Sequence, residues 1–382
     1  MRIALLTRRF DPRGGGTERD LIITADCLLR AGHQLTVFAR EIRGKSEDFE
    51  VRRVGGFALG RTAGLLSFAY GAPLAARRAG ADLLLSFGRT VGADVMRSGG
   101  SAHISYLRAA RQWCGAVEWR RMRASSYHRA QIFIERHGFL SPELKLAIAV
   151  SNLVRDDLMR EFDLPANKVV TLYNGVDLER FMPAPEDSAR REIRSSLDIT
   201  DGAPLVAFVG NGFGRKGLQF LIEAWPTVER GAHLLVVGAD QKSRWYRRHA
   251  AQKGVGARVH FAGVRPDTTQ IFHATDAAAL PSLFEPFGNV VMEAMASGLP
   301  VLSSAQSGAA ELLPEAMQRF VVRNPSDPSE IAEKMNALLD AVGELRGLAR
   351  TTAEHYTWQR YAENLWAILS AATSGRGGEP KP

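Results

Sequence analysis

Two carboxylates eight residues apart, Glu285 and Glu293, enclose the segment P-F-G-N-V-V-M, and A-M-A-S-G-L-P-V-L follows. The apolar residues Ala277 to Leu280 ahead of them read as a strand, and the residues from Asn289 onward as a helix. A helix start leaves backbone N–H groups without intrahelical acceptors, here those of Gly288, Asn289 and Val290, next to Phe287. Such a turn is a ready anion site. Glu285 then stands in the loop at its mouth, and Glu293 lies one turn into the helix on the face of Asn289. An anion site flanked by two hydrogen-bond acceptors suits a nucleotide sugar, with the diphosphate on the amides and hydroxyls on the carboxylates. Taken alone, each residue also reads as a solvated glutamate.

A second chemical segment, G-N-G-F-G-R-K-G, spans Gly210 to Gly217. As a Walker A loop it fails, because Gly217 rather than Ser or Thr follows Lys216. As a dinucleotide fingerprint its third glycine, Gly214, comes too early, although Asp240 after the next strand could still take a ribose. A third reading pairs Arg215 and Lys216 as fixed cations on a diphosphate, with Gly212 allowing close approach. A departing diphosphate requires such positive groups if no metal is present. No Asp-x-Asp pair or His/carboxylate cluster is placed to hold one, so no metal ligands are assigned.

In the first half, Gly14, Gly15 and Gly16 let the loop after the first strand approach a ligand, with Gly15 and Gly16 as candidate donor contacts. A tight strand-to-helix turn explains them equally. Glu18 and Asp20 either favour the helix dipole or meet an acceptor hydroxyl, and Asp20 is the acceptor-side candidate. His103, in R-S-G-G-S-A-H-I-S-Y-L, could bond a sugar hydroxyl or an acceptor phosphate, or serve the core. Between Arg97 and His137 the bases Arg97, Arg108, Arg111, Arg120, Arg121, Arg123, Arg129 and Arg136 face only Glu118 and Glu135, with Trp113 and Trp119 interleaved. Their match is acceptor phosphate, an anionic membrane surface or plain solvent, and no nucleic-acid motif accompanies them. The tryptophans would then sit at the headgroup level with their N–H groups outward.

These residues need strand ends to hold them. Apolar strands are expected at 3–7, 34–39, 82–86, 146–150 and 169–172, with helices between. The pattern restarts at 205–209, 233–237, 259–261, 277–280, 301–303 and 320–322, followed by helices at 328–342 and 358–372. The expected fold is α/β, with two doubly wound Rossmann-like domains facing a cleft. The expected boundaries are 1–173 for the acceptor-binding domain and 174–357 for the nucleotide-sugar-binding domain. A final helix at 358–373 packs back on the first domain, and residues 374–382 form a disordered tail. At 382 residues the chain is too long for one ordinary core. A net charge of +8 asks for an anionic partner. Only Cys27 and Cys114 occur, which argues against a disulfide framework or zinc site. The start M-R-I-A-L-L-T-R-R-F reads as a buried strand rather than a signal peptide, and no run is apolar enough to span a bilayer.

Together the segments resemble the retaining glycosyltransferases of family 4, which have the GT-B fold. The resemblance runs over nearly the whole chain. Its carriers are the early Gly-rich loop, Asn174-Gly175-Val176-Asp177, G-F-G-R-K-G with I-E-A-W, V-V-G-A-D, V-H-F-A-G, and the paired glutamates with A-S-G-L-P-V. It implies that Glu285 faces the donor hexose, Glu293 holds the ribose, and Arg215 and Lys216 bind the diphosphate; His103 joins Glu285, Arg215 and Lys216 as a catalytic candidate on its own sequence context alone. Within the family the chain is similar to the lipopolysaccharide core glucosyltransferase I group, through F-G-R-K-G and the basic segment. That likeness implies transfer of glucose from UDP-glucose, a co-substrate and not a cofactor, to a heptose of the inner core. It also implies a cytoplasmic enzyme bound peripherally to the inner membrane. One departure is Gly100, near where some members of the group carry an Asp. The alternatives are a family 4 enzyme with another glycolipid or polysaccharide acceptor, a silent membrane-binding protein and a nicotinamide enzyme.

Overall fold

A computed structural model describes residues 1–12, 14, 16–55, 60–185, 188–199 and 202–374. Gly15 and the expected tail from residue 375 lie outside the described residues, while Ser374 ends the last helix. The chain divides into two compact units, Met1–Asn174 with the helix that begins at Trp358, and Gly175–Thr357.

The first unit is built on strands β1 (Arg2–Phe10), β2 (Gln34–Ile42), β3 (Glu50–Arg53), β4 (Leu83–Ser86), β5 (Val95–Ser98), β6 (Leu146–Ala149) and β7 (Val169–Thr171). Their order is β3-β2-β1-β4-β5-β6-β7, and every pair is parallel. Helices cover both faces, so β4 and β6 are buried at every position, as their unbroken apolar sequences require. The closing helix Trp358–Ser374 inserts Tyr361, Leu365, Ile368 and Leu369 among Leu5, Val37, Leu85 and Ile148. Each such aliphatic side chain contributes about 1.5–3 kcal/mol by leaving water. Strand β3, E-V-R-R, was not expected. It is an exposed edge with no apolar run to betray it.

The second unit repeats the plan with β8 (Leu205–Val209), β9 (His233–Val237), β10 (Val259–Gly263), β11 (Ala277–Ala279), β12 (Val301–Ser304) and β13 (Val321–Val322). All pairs are parallel, in the order β10-β9-β8-β11-β12-β13. In each sheet the winding reverses once, between β1 and β4 and between β8 and β11. At such a reversal the loops leaving the two neighbouring strands diverge to opposite faces and open a crevice at their carboxyl ends. That rule points to the loops after β8 and β11. These are the two segments singled out by their chemistry.

Candidate active site

The loop after β8 and the loop after β11 are joined by backbone. Leu283 N–H donates to the Arg215 carbonyl at 2.8 Å, and the Arg215 guanidinium returns a 2.7 Å bond to the Phe284 carbonyl. Gly217, at φ 78°, starts the helix Leu218–Ala224 in a left-handed conformation. A Cβ there would overlap the Pro281 carbonyl oxygen, so the close approach of the two loops requires glycine. The result is a three-residue charge cluster. Lys216 Nζ lies 2.5 Å and Arg215 Nη1 3.0 Å from the same oxygen, Glu285 Oε2. Burial alone would raise the Glu285 carboxyl. The ammonium of Lys216 and the guanidinium of Arg215 outweigh it and hold Glu285 below the usual carboxylate range.

Glu285 is fixed from the other side as well. Its N–H donates to Gln306 O at 2.9 Å, and its carbonyl accepts from Gly308 N–H at 3.0 Å. The Ser307 hydroxyl donates to the Phe287 carbonyl at 2.9 Å. Phe287 is buried, whereas Gly288, Asn289 and Val290 are partly exposed at the start of the helix Asn289–Ala296. Gly288 precedes that helix at φ 101°. Glu293 is partly exposed although Val291, Met292, Ala294, Met295 and Ala296 around it are buried, which gives this turn one polar opening. Gly212 sits in the same loop as Arg215, with open space where a Cβ would point. Asp240, the candidate for a nicotinamide-type ribose contact, is otherwise engaged. Its oxygens accept from Phe213 N–H at 2.8 Å and Lys242 N–H at 2.7 Å, bracing the cationic loop.

The first unit holds the acceptor-side candidates in two separate polar networks. Asp20, on the helix Gly16–Arg30, is only 6% exposed. Burial raises its carboxyl to about 6, opposed by Arg97 and Arg19 and by a hydrogen bond from Asn174. Arg97 donates to Asn174 Oδ1 at 2.6 Å and to Tyr361 OH at 3.3 Å, and Thr24 reaches the same hydroxyl at 3.0 Å. Arg97 is therefore a core residue and not part of a surface patch, which corrects its place in the basic segment. His103 begins the helix His103–Ala109, buried, with Nε2 2.8 Å from His128 Nδ1. Burial, with Arg89 and His128 nearby, pushes its imidazole down to about 3, so it is neutral at pH 7. Its backbone N–H donates to Glu135 at 2.7 Å, and Glu135 in turn pairs with Arg89 at 2.7 Å.

The basic segment carries the helix Ala116–Ala124, in which no residue is buried. Arg120, Arg121 and Arg123 are exposed, as is Val117 at 62%. Arg108 is paired with Glu161 at 2.5 Å. Trp119 departs from expectation: its indole N–H donates inward to the Leu107 carbonyl at 2.8 Å, and Arg111 and Arg123 lie against its ring. A half-buried indole N–H needs an acceptor, and the neighbouring helix end supplies a carbonyl. Among the described residues, no group of three or more His, Cys, Asp and Glu could hold a metal ion, and no helix is long and apolar enough to cross a membrane.

Residues 203–341 match the family described as glycosyl transferases group 1, and residues 14–180 match Glycosyltransferase Family 4. The chain belongs to glycosyltransferase family 4. It is 26% identical over 350 residues to the lipopolysaccharide glucosyltransferase WaaG of Escherichia coli, covering 90% of each. The crystal structure of WaaG, a glycosyltransferase involved in lipopolysaccharide biosynthesis, matches with a TM-score of 0.76 at 24% identity, over 99% of this chain and 100% of that one. Anabaena HepE in complex with UDP-glucose matches at 0.70 and 19% identity, over 97% and 100%. These structural likenesses carry the fold, which is GT-B. The chain spans 61% and 63% of the length of the first curated relatives it matches.

In this family 4 chain the structure joins Arg215, Lys216 and Glu285, and sets the turn 287–290 and Glu293 directly after them in the chain. Reading the sequence gave Asp240 only as a ribose contact and not as the brace of the cationic loop, and it missed Ser307 under the turn. It also missed Arg8, Arg61, Arg89, Tyr127 and His128, which gather beside His103. The one signal for them was position, since Arg8 and Arg89 stand at or just past the ends of apolar strands.

Proposed function

We propose that the protein transfers a hexose, glucose, from a UDP-sugar to an anionic glycolipid, a heptose of the lipopolysaccharide inner core, with retention of anomeric configuration and without a metal. The observation that carries the reading is the convergence of Arg215 and Lys216 on Glu285 Oε2 at the carboxyl edge of a reversing parallel sheet. A diphosphate in this loop takes over both cations, which neutralise the charge that grows as the glycosidic bond breaks. Glu285, kept ionised, then faces the anomeric carbon and stabilises its developing positive charge. The acceptor hydroxyl attacks from the face the diphosphate leaves, and a diphosphate oxygen takes its proton. Glu293 holds the ribose hydroxyls.

Support for the donor comes from the UDP-glucose complex of HepE, and support for the acceptor from the likeness to WaaG over most of both chains. The exposed cationic helix Ala116–Ala124 supports peripheral contact with an anionic membrane surface at the cytoplasmic face of the inner membrane. The test is a panel of radiolabelled UDP-sugars offered with core-truncated lipopolysaccharides. Label should pass from UDP-glucose to a heptose-terminated core. Transfer from another nucleotide sugar alone, or to none of the cores, contradicts the reading.

A further inference from the structure

The sheet of the first unit reverses between β1 and β4, and its carboxyl edge carries a cationic cluster of its own. Arg8, near the end of β1, donates to the Tyr127 hydroxyl at 2.6 Å. Arg61 lies over the same ring, 4.8 Å from its centroid, at the start of the helix Arg61–Arg78. Arg89 follows β4, and its neighbour Gly88 faces the Arg8 backbone. His128 adjoins Tyr127 and bonds His103 at 2.8 Å. Carboxylates do not balance these guanidinium groups. Glu135 is buried and already divided between Arg89 and the His103 N–H. Glu41 approaches Arg8 only at 3.9 Å, and among the described residues Arg61 has no ion pair. The helices Arg61–Arg78 and Ser126–Phe139 begin side by side, with Thr62 and Ser126 hydroxyls 3.3 Å apart and no side-chain cap on either. Arg8 and Arg61 converge on one ring, 5.9 and 4.8 Å from its centroid, so their charges repel, and the Arg8 and Arg89 forks stay partly exposed, at 42% and 35%.

We propose that Arg8, Arg61, Arg89 and Tyr127, with His128, form an oxyanion subsite for a phosphate ester, the charged group by which the acceptor is recognised. The proposal rests on the transferase reading for its role, and on the cluster alone for its ligand. A phosphate oxyanion matches the planar guanidinium forks and the phenol donor, and relieves the repulsion among them. The two imidazoles are neutral and bonded to each other, so one N–H is used between them and the pair adds one free donor without further charge.

The test is titration of the full chain with inorganic phosphate, read from the His128 ring resonance by NMR of histidine-labelled protein. A saturable shift is expected, weakened about tenfold or more in Arg61→Gln, the loss of one charge-assisted hydrogen bond. Arg8→Gln should weaken it similarly, and unchanged melting temperatures would show both variants folded. The shift should persist in Lys216→Ala, because the donor loop is not its source. A hexose 6-phosphate that displaces phosphate names an acceptor ester as the ligand. Displacement by phosphatidic acid vesicles alone names a lipid headgroup. The proposal is overturned by an absent or unsaturable shift, by wild-type affinity in both arginine variants, by loss of the shift in Lys216→Ala, or by equal competition from the phosphate-free hexose. Failure to turn over any UDP-sugar would overturn the transferase reading and leave this binding result standing.

Discussion

Arg215 with Lys216, and Arg120 with Arg121 and Arg123, are adjacent or near-adjacent cations that the fold treats oppositely. The first pair is held by a loop stitched to its neighbour, and the Lys216 side chain is only 8% exposed, against one carboxylate. The second set stands on the helix Ala116–Ala124, in which no residue is fully buried and these arginines are exposed. Long cationic side chains lose roughly 2 kcal/mol of rotamer freedom when fixed. In the loop that loss belongs to folding, so the charges are aimed before substrate arrives. On the helix it recurs with each encounter. The comparison teaches that charge is preorganised where backbone fixes it, and remains a screened attraction where it does not.

The largest effect should come from the fixed pair's partner. Glu285→Gln keeps the shape but removes the negative charge, and should lower kcat by roughly 10²–10³-fold, the scale of one preorganised electrostatic group. UDP affinity should change little. A variant with wild-type kcat would break the comparison at its catalytic end. Glu293→Ala should act differently, raising KM for the UDP-sugar about tenfold with a smaller change in kcat, because ribose contacts exist in ground and transition states alike. Steady-state kinetics with varied UDP-glucose separates the two glutamates. Exchanged phenotypes would mean that the donor lies the other way round.

The account of these loops was largely legible in the sequence, and the reason is physical. G-N-G-F-G-R-K-G and the Glu285–Glu293 segment each sit between one strand and one helix, so short spacing fixes their geometry. Most core strands were visible as apolar runs, but the interior strand β5 was not placed among them, because V-M-R-S is short and carries the buried Arg97. Strand β3 was not, because an exposed edge reading E-V-R-R carries no burial signal. The helix Val342–Glu354 was also missed as a separate element, merged at its start with the helix before it. The cluster of Arg8 and Tyr127 joins residues 119 positions apart and has no local pattern to read. Trp119 misled for a similar reason: its acceptor, the Leu107 carbonyl, is backbone and has no side-chain signature.

Buried charge in the first unit supplies a third check. Asp20 has its carboxyl raised to about 6 chiefly by burial, with one oxygen lacking a hydrogen-bond partner among the described residues. A folded value above the unfolded one near 3.8 means its stabilising contribution is full below pH 3.8 and is lost as pH rises through about 6. Asp20→Asn should therefore stabilise the protein at pH 8 by roughly 2–3 kcal/mol, seen as a melting temperature several degrees higher, and by less at pH 5. An equal or negative shift at pH 8 would show that Arg97 balances this carboxylate where Lys216 and Arg215 balance Glu285.

The smallest effects belong to the exposed helix. Each of Arg120, Arg121 and Arg123 should contribute about 1 kcal/mol to binding phosphatidylglycerol vesicles, screened within ~8–10 Å at physiological salt. Replacing all of them with Gln should release the protein from such vesicles in a sedimentation assay, and added NaCl should do the same to the wild type. Binding insensitive to salt would return the helix to a merely solvated face.

The most direct test of the donor loop is the single-turnover rate of radiolabelled glucose transfer from UDP-glucose after exhaustive EDTA treatment, compared between the wild type and Lys216→Ala. The predicted result is undiminished transfer by the wild type and a loss of roughly 10²–10³-fold in the variant. Wild-type transfer that requires an added divalent ion, or a variant as fast as the wild type, would contradict the claim that fixed side-chain cations carry the leaving diphosphate.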